Sequence, residues 1–332
     1  MEEQDISLKT QRIIIDNQPQ FLFLNDMFSH VYEERALLLA NTNDIVVLRN
    51  SFPEEYIDFI KSDKQFEIIT LDSNYYNEEL TDAVLKEKNI QTIKNKIDSN
   101  CSKILLQSYI PDEKISLIGQ KLGIRVCGKE FFCDYHKKSI INDLCSNLQL
   151  NTIQSISLKS EIEISSSKTQ EFISKHKKVI IKPEVGLGGQ FISKEDSLNR
   201  KETKLSKAYP MVLQEYLPVQ TEGSIQFYKT SEKWNIFLCE TFQKGFQFYG
   251  YKYPYCNINE DEIIIAASKF LSFFTNKYMD DMPSFGIDFI VSNNKVYFHD
   301  INPRNTGVTY IFSLLNRIYG ECMLKNIQCM YL

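Results

Sequence analysis

The sequence predicts an open, mainly parallel α/β domain followed by an α+β region built on antiparallel strands. Two observations predict this order. Within residues 1–128, short β-branched runs alternate with helical patterns, which is typical of parallel strands joined by crossover helices. From Val179 onward, strand-like runs follow one another closely, and one long helical pattern interrupts them. The length of 332 residues suits about two domains, so we expect a boundary near residue 128.

The N-terminal region contains strand-like runs separated by two helical patterns. The predicted strands are Ile45–Leu48, Phe66–Ile69, Lys103–Leu106 and Gly123–Cys127. After the first of them, Ser51 is a candidate helix cap with Pro53 in the first turn. A second helix opens after Pro111 and stops at Gly123. Strands separated by helices predict right-handed crossovers and therefore an open, Rossmann-like parallel sheet.

Residues 129–332 follow a different pattern. A helical stretch over His136–Asn147 precedes a serine-rich segment, Ser155–Thr169, which is interpreted as a strand plus a loop. A long helix is predicted from Ile263 to Phe274, because its apolar residues recur on one helical face. The predicted strands are Val179–Lys182, Met211–Tyr216, Ile225–Tyr228, Trp234–Cys239, Phe285–Val291 and Val296–Ile301. Their close succession predicts antiparallel pairing.

Composition and charge exclude several classes of protein. Hydrophobic residues make up 43% and charged residues 24% of the chain, which is ordinary for a folded protein. The net charge of −5 gives no support for binding to nucleic acid or to an anionic membrane surface. Apolar runs are short, and the polar segment Met1–Gln11 does not resemble a secretory signal. The eight cysteines include no C-x-x-C pair and are interpreted as reduced thiols, so we expect a cytoplasmic location.

A glycine-rich segment after the strand ending at Lys182 is a candidate phosphate site. The chain has 12 glycines, and Gly186, Gly188 and Gly189 stand within four residues of one another. Their N–H groups can approach an anion without interference from Cβ atoms, and Lys182 adds positive charge at the same end. The spacing differs from that of the P-loop and of the dinucleotide fingerprint. A plain glycine hairpin is the alternative interpretation.

Two aspartates and an asparagine are candidate ligands for a hard metal ion. Asp288 lies in an otherwise apolar strand, and Asp300 and Asn302 share one face of the next strand. If the loop after Ser292 has three residues, Asp288 opposes Asp300 and the three side chains converge in the way that suits Mg²⁺. A two-residue loop would instead turn Asp300 to the other face. The alternative is that all three are solvent-facing polar residues.

The end of the strand Met211–Tyr216 is a candidate site for a nucleotide base. The strand runs out into Pro218, so the backbone N–H and C=O groups near Glu215, Tyr216 and Leu217 are expected to be free for the edge of an adenine. Glu222 can accept hydrogen bonds from ribose hydroxyl groups. Alone, this segment has low specificity.

Taken in order, these features resemble the ATP-grasp superfamily over roughly Phe131–Gly307, and the preceding α/β domain resembles the one that usually precedes it. The resemblance assigns the two phosphate-binding lysines to Lys138, with Lys137 as the competing choice, and to Lys182. The other residues that it implies are the lid glycines Gly186, Gly188 and Gly189, the base- and ribose-binding Glu215, Tyr216, Leu217 and Glu222, and the metal ligands Asp288, Asp300 and Asn302.

The segment from Asp300 to Arg304 is the most specific part of the resemblance. Its D-x-N-P-R pattern resembles the E-x-N-P-R pattern of the family, and Arg304 corresponds to an arginine that in related enzymes helps bind the acid substrate or an intermediate. Asp300 is shorter than the more frequent Glu, and Gly286 stands where some relatives carry an arginine. The aromatic stretch Phe242–Tyr253 has no general family meaning and either lines an acceptor pocket or forms half-buried strands.

The resemblance implies an ATP-dependent ligase that uses Mg²⁺ or Mn²⁺, activates a carboxylate as an acyl phosphate and joins it to an amine, with release of ADP and phosphate. Lys182 and Arg304 are the expected catalytic residues. The implied domain has a first lobe with the lid over residues 129–212 and a second lobe with the metal site over residues 213–332.

Other outcomes stay open on the same scaffold. They are transfer to a carrier-protein thiol or another nucleophile, a carboxylation, and a non-catalytic, nucleotide-binding regulatory module. The expected partners are small-molecule carboxylate and amine substrates, without nucleic acid or membrane. The oligomeric state is open, although dimers are common for such chains.

Overall fold

The structure is a computed structural model that describes residues 10–17, 33–49, 51–62, 64–71, 78–186, 192–195, 209–230, 233–278, 281–319 and 330–331. The strands are β1 (Thr10–Ile15), β2 (Ile45–Leu48), β3 (Glu67–Thr70), β4 (Lys103–Ser108), β5 (Arg125–Val126), β6 (Ser155–Leu158), β7 (Val179–Pro183), β8 (Ser193–Glu195), β9 (Met211–Glu215), β10 (Thr221–Lys229), β11 (Trp234–Lys244), β12 (Gln247–Tyr253), β13 (Phe285–Ser292), β14 (Lys295–Asn302) and β15 (Met330–Tyr331). The α-helices are α1 (Ala36–Leu39), α2 (Glu54–Lys61), α3 (Leu80–Leu85), α4 (Glu87–Lys94), α5 (Glu113–Leu122), α6 (Lys129–Tyr135), α7 (Ile140–Asn147), α8 (Ser167–His176), α9 (Glu260–Tyr278) and α10 (Gly307–Tyr319).

The chain folds into two compact units. Unit 1 consists of Met1–Phe132, Asp281–Pro283 and Arg304–Lys325. Unit 2 consists of Cys133–Asp280, Ser284–Pro303 and Asn326–Leu332. Unit 1 carries a parallel sheet and unit 2 carries two antiparallel sheets, so the predicted fold class is confirmed. Within the described ranges, no helix has the length and apolar character needed to cross a membrane.

The parallel sheet of unit 1 has the strand order β3-β2-β1-β4-β5. Its central strand β1 was not predicted, because its apolar run of three isoleucines follows a polar N-terminal stretch. Ile13 and Ile15 belong to one buried cluster and Ile14 to another, so both faces of β1 are covered. This is the usual state of a strand in a parallel sheet.

In unit 1, the ends of helices α5 and α2 can be compared with their predicted caps. The prediction for α5 is confirmed, since the Asp112 carboxylate accepts from the N–H of Ile115 at 2.9 Å and Gly123 ends the helix at φ +72°. The prediction that Ser51 caps α2 is wrong. Pro53 takes the cap position, and its carbonyl oxygen accepts from the N–H groups of Tyr56 and Ile57.

The last helix of the described chain, α10, belongs to unit 1. Tyr310 is part of the same buried cluster as Ile14. The Ser313 hydroxyl donates to the carbonyl oxygen of Leu38 at 2.5 Å, and Arg317 donates to that of Ala40 at 2.6 Å. Unit 1 is therefore completed by a segment distant in sequence.

The smaller sheet of unit 2 has the order β6-β9-β7-β8. The serine-rich segment before it forms β6, a short 3₁₀ turn and the helix α8, which was not predicted. Ser166 caps α8 by accepting from the N–H of Thr169 at 3.3 Å, so the serines that made the segment look like a loop include a helix cap. The predicted helix over His136–Asn147 is shorter than expected and begins at Ile140.

The larger sheet of unit 2 has the order β14-β13-β10-β11-β12-β15. Helix α9 confirms the long predicted helix. Its buried Phe270 and Phe274 make edge-to-face contacts with Phe298 and Phe285, with ring centres 5.0 and 5.4 Å apart. The aromatic stretch Phe242–Tyr253 forms the end of β11 and all of β12, as the strand interpretation predicts.

The hairpin between β13 and β14 differs from the prediction. Its turn has two residues, Asn293 and Asn294, both with positive φ, so the expected three-residue loop is wrong. A β-bulge at His299 then shifts the register by one residue. Asp288 consequently opposes Asp300 as expected, although a different feature of the hairpin produces the pairing.

Candidate functional site

Asp288, Asp300 and Asn302 lie on adjacent strands of unit 2. The register of β13 and β14 pairs Asp288 with Asp300 and Gly286 with Asn302. The Asn302 side chain donates from Nδ2 to Oδ2 of Asp288 at 3.1 Å. The sequence therefore identified three side chains that the fold brings to one place, which the bulge at His299 makes possible.

The two predicted phosphate-binding lysines are both buried. Lys138 contacts Oδ2 of Asp300 at 3.1 Å through Nζ and donates to the carbonyl oxygen of Gly186 at 3.3 Å. Lys182, on β7, donates from Nζ to the carbonyl oxygen of His299 at 2.9 Å. Lys137, the competing choice for the first lysine, is exposed. Two ammonium groups thus reach the strand that carries Asp300 and Asn302.

Burial and neighbouring charges shift the pKa values in this site in opposite directions. Burial disfavours the charged form of Asp300, but Lys138 and Lys182 outweigh it and lower the pKa of this carboxyl group. Burial and the nearby Asp300 carboxylate raise the pKa of Asp288. Burial lowers the pKa of Lys182 to about 8, although Asp300 opposes that shift. A further positive charge beside both carboxylates would favour the ionised form of Asp288 and lower its pKa.

The donor set fits a hard divalent cation. Two carboxylates and one amide supply oxygen atoms, which Mg²⁺ and Mn²⁺ prefer, with water and phosphate oxygens completing the shell. Within the described ranges there is no group of three or more His, Cys, Asp or Glu side chains placed to hold a metal ion. A cation here would therefore depend on Asn302 and on the nucleotide as well as on Asp288 and Asp300.

His299 has a different place from the one predicted. Regular alternation would have turned it away from Asp300, but it is the extra residue of the bulge. Its carbonyl oxygen accepts from Lys182. Burial, with a smaller contribution from Lys182, lowers the pKa of its imidazole to about 3. The imidazole is therefore neutral at pH 7.

Glu184 is a member of this region that the sequence did not reveal. Its carbonyl oxygen accepts from the N–H of Lys138 at 3.0 Å, and its carboxylate accepts from the N–H of Ser139 at 3.3 Å and from the Ser139 hydroxyl. These bonds explain why α7 begins only after Ser139. Nothing in the sequence marks Glu184 as part of a site, because glutamates are usually exposed to solvent.

The lid glycines are described only at their start. Gly186 is the last residue of its described range, and its carbonyl oxygen accepts a hydrogen bond from Nζ of Lys138. Gly188 and Gly189 lie outside the described residues, so their predicted role in phosphate binding stays a prediction.

The candidate base site lies at the end of β9. The Glu215 carboxylate accepts from the N–H of Gln154 at 2.9 Å and contacts Nδ1 of His176 at 3.2 Å. The N–H groups of Glu215 and Tyr216 donate to the carbonyl oxygens of Gln154 and Lys178 at 2.9 and 3.1 Å, so the expectation of free donors is wrong at both residues. Leu217 follows beyond the strand and is half-buried.

Glu222, the predicted ribose ligand, lies on β10. It contacts Nε2 of Gln243, and burial raises the pKa of its carboxyl group. Its predicted role stays a prediction.

Arg304 is buried within unit 1. It donates from Nη1 to the Tyr109 hydroxyl at 2.8 Å and to the carbonyl oxygen of Asn305 at 3.0 Å. Its guanidinium carbon lies 4.7 Å from the centre of the Tyr109 ring, which is a cation–π distance. Tyr109 was not among the predicted site residues, and the catalytic role of Arg304 stays a prediction.

Comparison with known proteins identifies the class. The family model described as an ATP-grasp domain matches residues 150–308. Residues 150–308 thus match an ATP-grasp domain, and the predictions of a resemblance to this superfamily and of an enzyme of this kind are confirmed.

Solved structures with the same fold include three small-molecule ligases or synthetases. N5-carboxyaminoimidazole synthetase from Staphylococcus aureus, complexed with ADP, is 15% identical with a TM-score of 0.56, over 90% of this chain and 71% of that one. The L-amino acid ligase from Bacillus licheniformis is 12% identical with a TM-score of 0.53, over 91% and 68%. The D-alanyl-alanine synthetase A from Vibrio cholerae is 10% identical with a TM-score of 0.59, over 96% and 99%. No curated protein sequence matches the chain.

Proposed function

We propose that the protein is an ATP-dependent, ADP-forming ligase that activates a carboxylate as an acyl phosphate and joins it to an amine. The observation that carries this proposal is the contact of the buried Lys138 with Asp300, beside Lys182, Asp288 and Asn302. A buried set of two ammonium groups and three oxygen-bearing side chains suits a triphosphate and its cation.

Each residue has a role in this proposal. Lys138 and Lys182 bind phosphate oxygens of ATP and neutralise charge that develops during transfer. Asp288, Asp300 and Asn302 would hold Mg²⁺ or Mn²⁺, which would supply positive charge against the phosphates. Glu184 positions Lys138 through its backbone bond. Phosphoryl transfer depends mainly on such positioning and charge neutralisation.

The remaining predicted residues act on the substrates in this scheme. Gly186, Gly188 and Gly189 contribute to phosphate binding in this scheme, and the last two lie outside the described residues. Glu215, Tyr216, Leu217 and Glu222 bind the nucleoside. Arg304 binds the carboxylate of the acid or the oxyanion of the intermediate, and Tyr109 holds its guanidinium in place.

The substrate class is proposed from the comparisons. Two of the structural relatives are named as enzymes that join amino acids, an L-amino acid ligase and a D-alanyl-alanine synthetase. We therefore propose an amino acid as the carboxylate and an amino acid or another small amine as the acceptor. A dimer stays an expectation.

ADP formation with pairs of amino acids, followed by mass spectrometry of the products, tests the proposal. The expected result is ADP release that depends on Mg²⁺ and on both substrates, with a product heavier than either one. Asp300→Ala should reduce the rate below about 1% of the parent, since a catalytic cation stabilises the transition state by several kcal/mol. Asp261→Ala, which removes an exposed aspartate on α9, should leave the rate unchanged.

Other results point to the alternatives. Phosphate release that requires a carrier-protein thiol, or bicarbonate, shows the same activation with a different acceptor. Nucleotide binding without ADP formation under any substrate pair favours a regulatory module. Equal ADP release by the parent and Asp300→Ala contradicts the assigned site.

A further inference from the structure

We propose that Ser224, held by Gln226, is a positioning residue that fixes the orientation of Asp288 for a divalent cation. The inference rests on the proposed function, because the cation is part of it. Ser224 and Gln226 lie on β10, the strand next to β13. Their exposed fractions are 0% and 2%, so water does not compete for their hydrogen bonds.

Ser224 has one strong acceptor. The pairing of β10 with β13 places it directly opposite Asp288. Its hydroxyl oxygen lies 2.6 Å from Oδ1 of Asp288, whereas the carbonyl oxygen of Ile287 is 3.4 Å away. A distance of 2.6 Å is typical of a hydroxyl that donates to a carboxylate.

Gln226 determines the direction of that bond. Its side chain donates from Nε2 to the Ser224 hydroxyl oxygen at 2.7 Å. A hydroxyl group has one hydrogen, and the bond from Gln226 uses an acceptor position of the oxygen. The hydrogen of Ser224 is therefore directed to Asp288.

Asn302 is oriented from the other side of the same carboxylate. An ionised carboxylate accepts only, so Oδ2 of Asp288, at 3.1 Å, faces the amide nitrogen of Asn302 rather than its oxygen. The amide oxygen of Asn302 then points away from Asp288, and each Asp288 oxygen keeps a second acceptor direction. Both residues can thereby present oxygen atoms to a cation.

The resulting row of side chains crosses three neighbouring strands. It runs from Gln226 through Ser224 on β10 to Asp288 on β13 and Asn302 on β14. The sheet therefore holds the ligands in place. Outer contacts of this kind orient metal ligands, and their loss typically weakens metal binding 10- to 100-fold.

Electron paramagnetic resonance of Mn²⁺ in the presence of ADP tests the proposal without any need for turnover or known substrates. Ser224→Ala is expected to weaken Mn²⁺ binding about 10-fold. Ser224→Thr keeps the hydroxyl and should restore most of the affinity. Gln226→Met should weaken binding by a smaller factor, because Ser224 keeps its hydrogen but loses the bond that directs it.

Ser292→Ala is the matched control. Ser292 is a fully buried serine in the same sheet, and its hydroxyl oxygen has no hydrogen-bond partner in the described part of the chain. Its removal should leave Mn²⁺ binding unchanged. Thermal unfolding of each variant without nucleotide separates damage to the site from damage to the fold.

Unchanged Mn²⁺ binding in Ser224→Ala overturns the proposal, and so does an equal loss in Ser292→Ala. If Ser224→Ala does not fold, Gln226→Met decides, and unchanged binding in that variant has the same meaning. Asp300→Ala separates this inference from the proposed function. If Asp300→Ala binds Mn²⁺ like the parent, the metal site itself is wrong; if it loses binding while Ser224→Ala keeps it, the positioning role alone fails.

Discussion

Lys138 and Lys182 each make a contact that a triphosphate, in the proposed function, would have to share or replace. Lys138 is shared between Asp300 and the carbonyl oxygen of Gly186, and Lys182 donates to the carbonyl oxygen of His299. Burial lowers the pKa of Lys182 to about 8, and phosphate groups nearby would raise it again, because anions favour the charged form.

The imidazole of His299 makes the stability of the nucleotide-free protein depend on pH. Its folded pKa is about 3, against an ordinary value of 6.5, with burial as the main cause. Between these two values the unfolded chain binds more protons than the folded one, so the free energy of unfolding falls as the pH falls. His299→Gln should remove about 3 kcal/mol of the loss between pH 7 and pH 4.

Urea unfolding of the parent and of His299→Gln at pH 4 and pH 7 measures this difference. Acidic groups away from His299 contribute equally to both proteins, so the comparison isolates the surroundings of His299. The same pH dependence in the two proteins would show that the imidazole is not shielded from protonation.

At the scale of the element, the β13–β14 hairpin combines a two-residue turn with a bulge. The extra residue of a bulge stays outside the regular ladder of hydrogen bonds. The carbonyl oxygen of His299 is consequently available to Lys182. The bulge thus restores the pairing of Asp288 with Asp300 and also supplies an acceptor for a lysine from the other sheet of unit 2.

Close approach of neighbouring strands explains a glycine in β10. A Cβ atom on Gly223 would lie 2.4 Å from the carbonyl oxygen of Cys239 and 2.6 Å from the Phe289 ring. Gly223→Ala should therefore lower the free energy of unfolding by about 1–3 kcal/mol, the usual cost of overpacking. Chemical denaturation measures this change.

Gly307→Ala is the control for that prediction. A Cβ atom there meets nothing within 4 Å, and the residue opens α10. It should be neutral or slightly stabilising, because alanine favours helix. Equal stability of Gly223→Ala and the parent would mean that β10 and β11 can move apart at no cost.

The candidate metal ligands could be predicted from the sequence, whereas the structural features that bring them together could not. Asp288 stood out because a carboxylate is costly in an apolar strand, and Asp300 and Asn302 stood out because they share one face of the next strand. The bulge at His299 has no sequence signal of its own, since it depends on contacts across strands. Ser224 and Glu184 looked like ordinary polar residues, and only the pairing with distant segments brings them into contact with Asp288 and Lys138.

At the scale of the whole molecule, cysteine accessibility reports on the integrity of unit 2. Cys133 and Cys256 are exposed, whereas Cys145 and Cys239 are fully buried. Burial raises the pKa of the Cys145 thiol to about 12, and burial also raises the pKa of the Cys239 thiol, so both are poor nucleophiles in the folded protein.

Alkylation followed by peptide mass spectrometry should label Cys133 and Cys256 under native conditions. Cys145 and Cys239 should react only in denaturant. Labelling of Cys239 at the rate of Cys256 in the native protein would contradict the packing of β11 in the larger sheet.

Helix α10 has a consequence for how the protein is made. Tyr310, Ser313 and Arg317 bind to parts of unit 1 that leave the ribosome hundreds of residues earlier. Unit 1 can therefore be completed only when α10 is synthesised, after nearly all of unit 2. During translation the surface of unit 1 that α10 covers stays exposed until that helix is made, and exposed apolar surface of this kind favours aggregation of an incomplete chain.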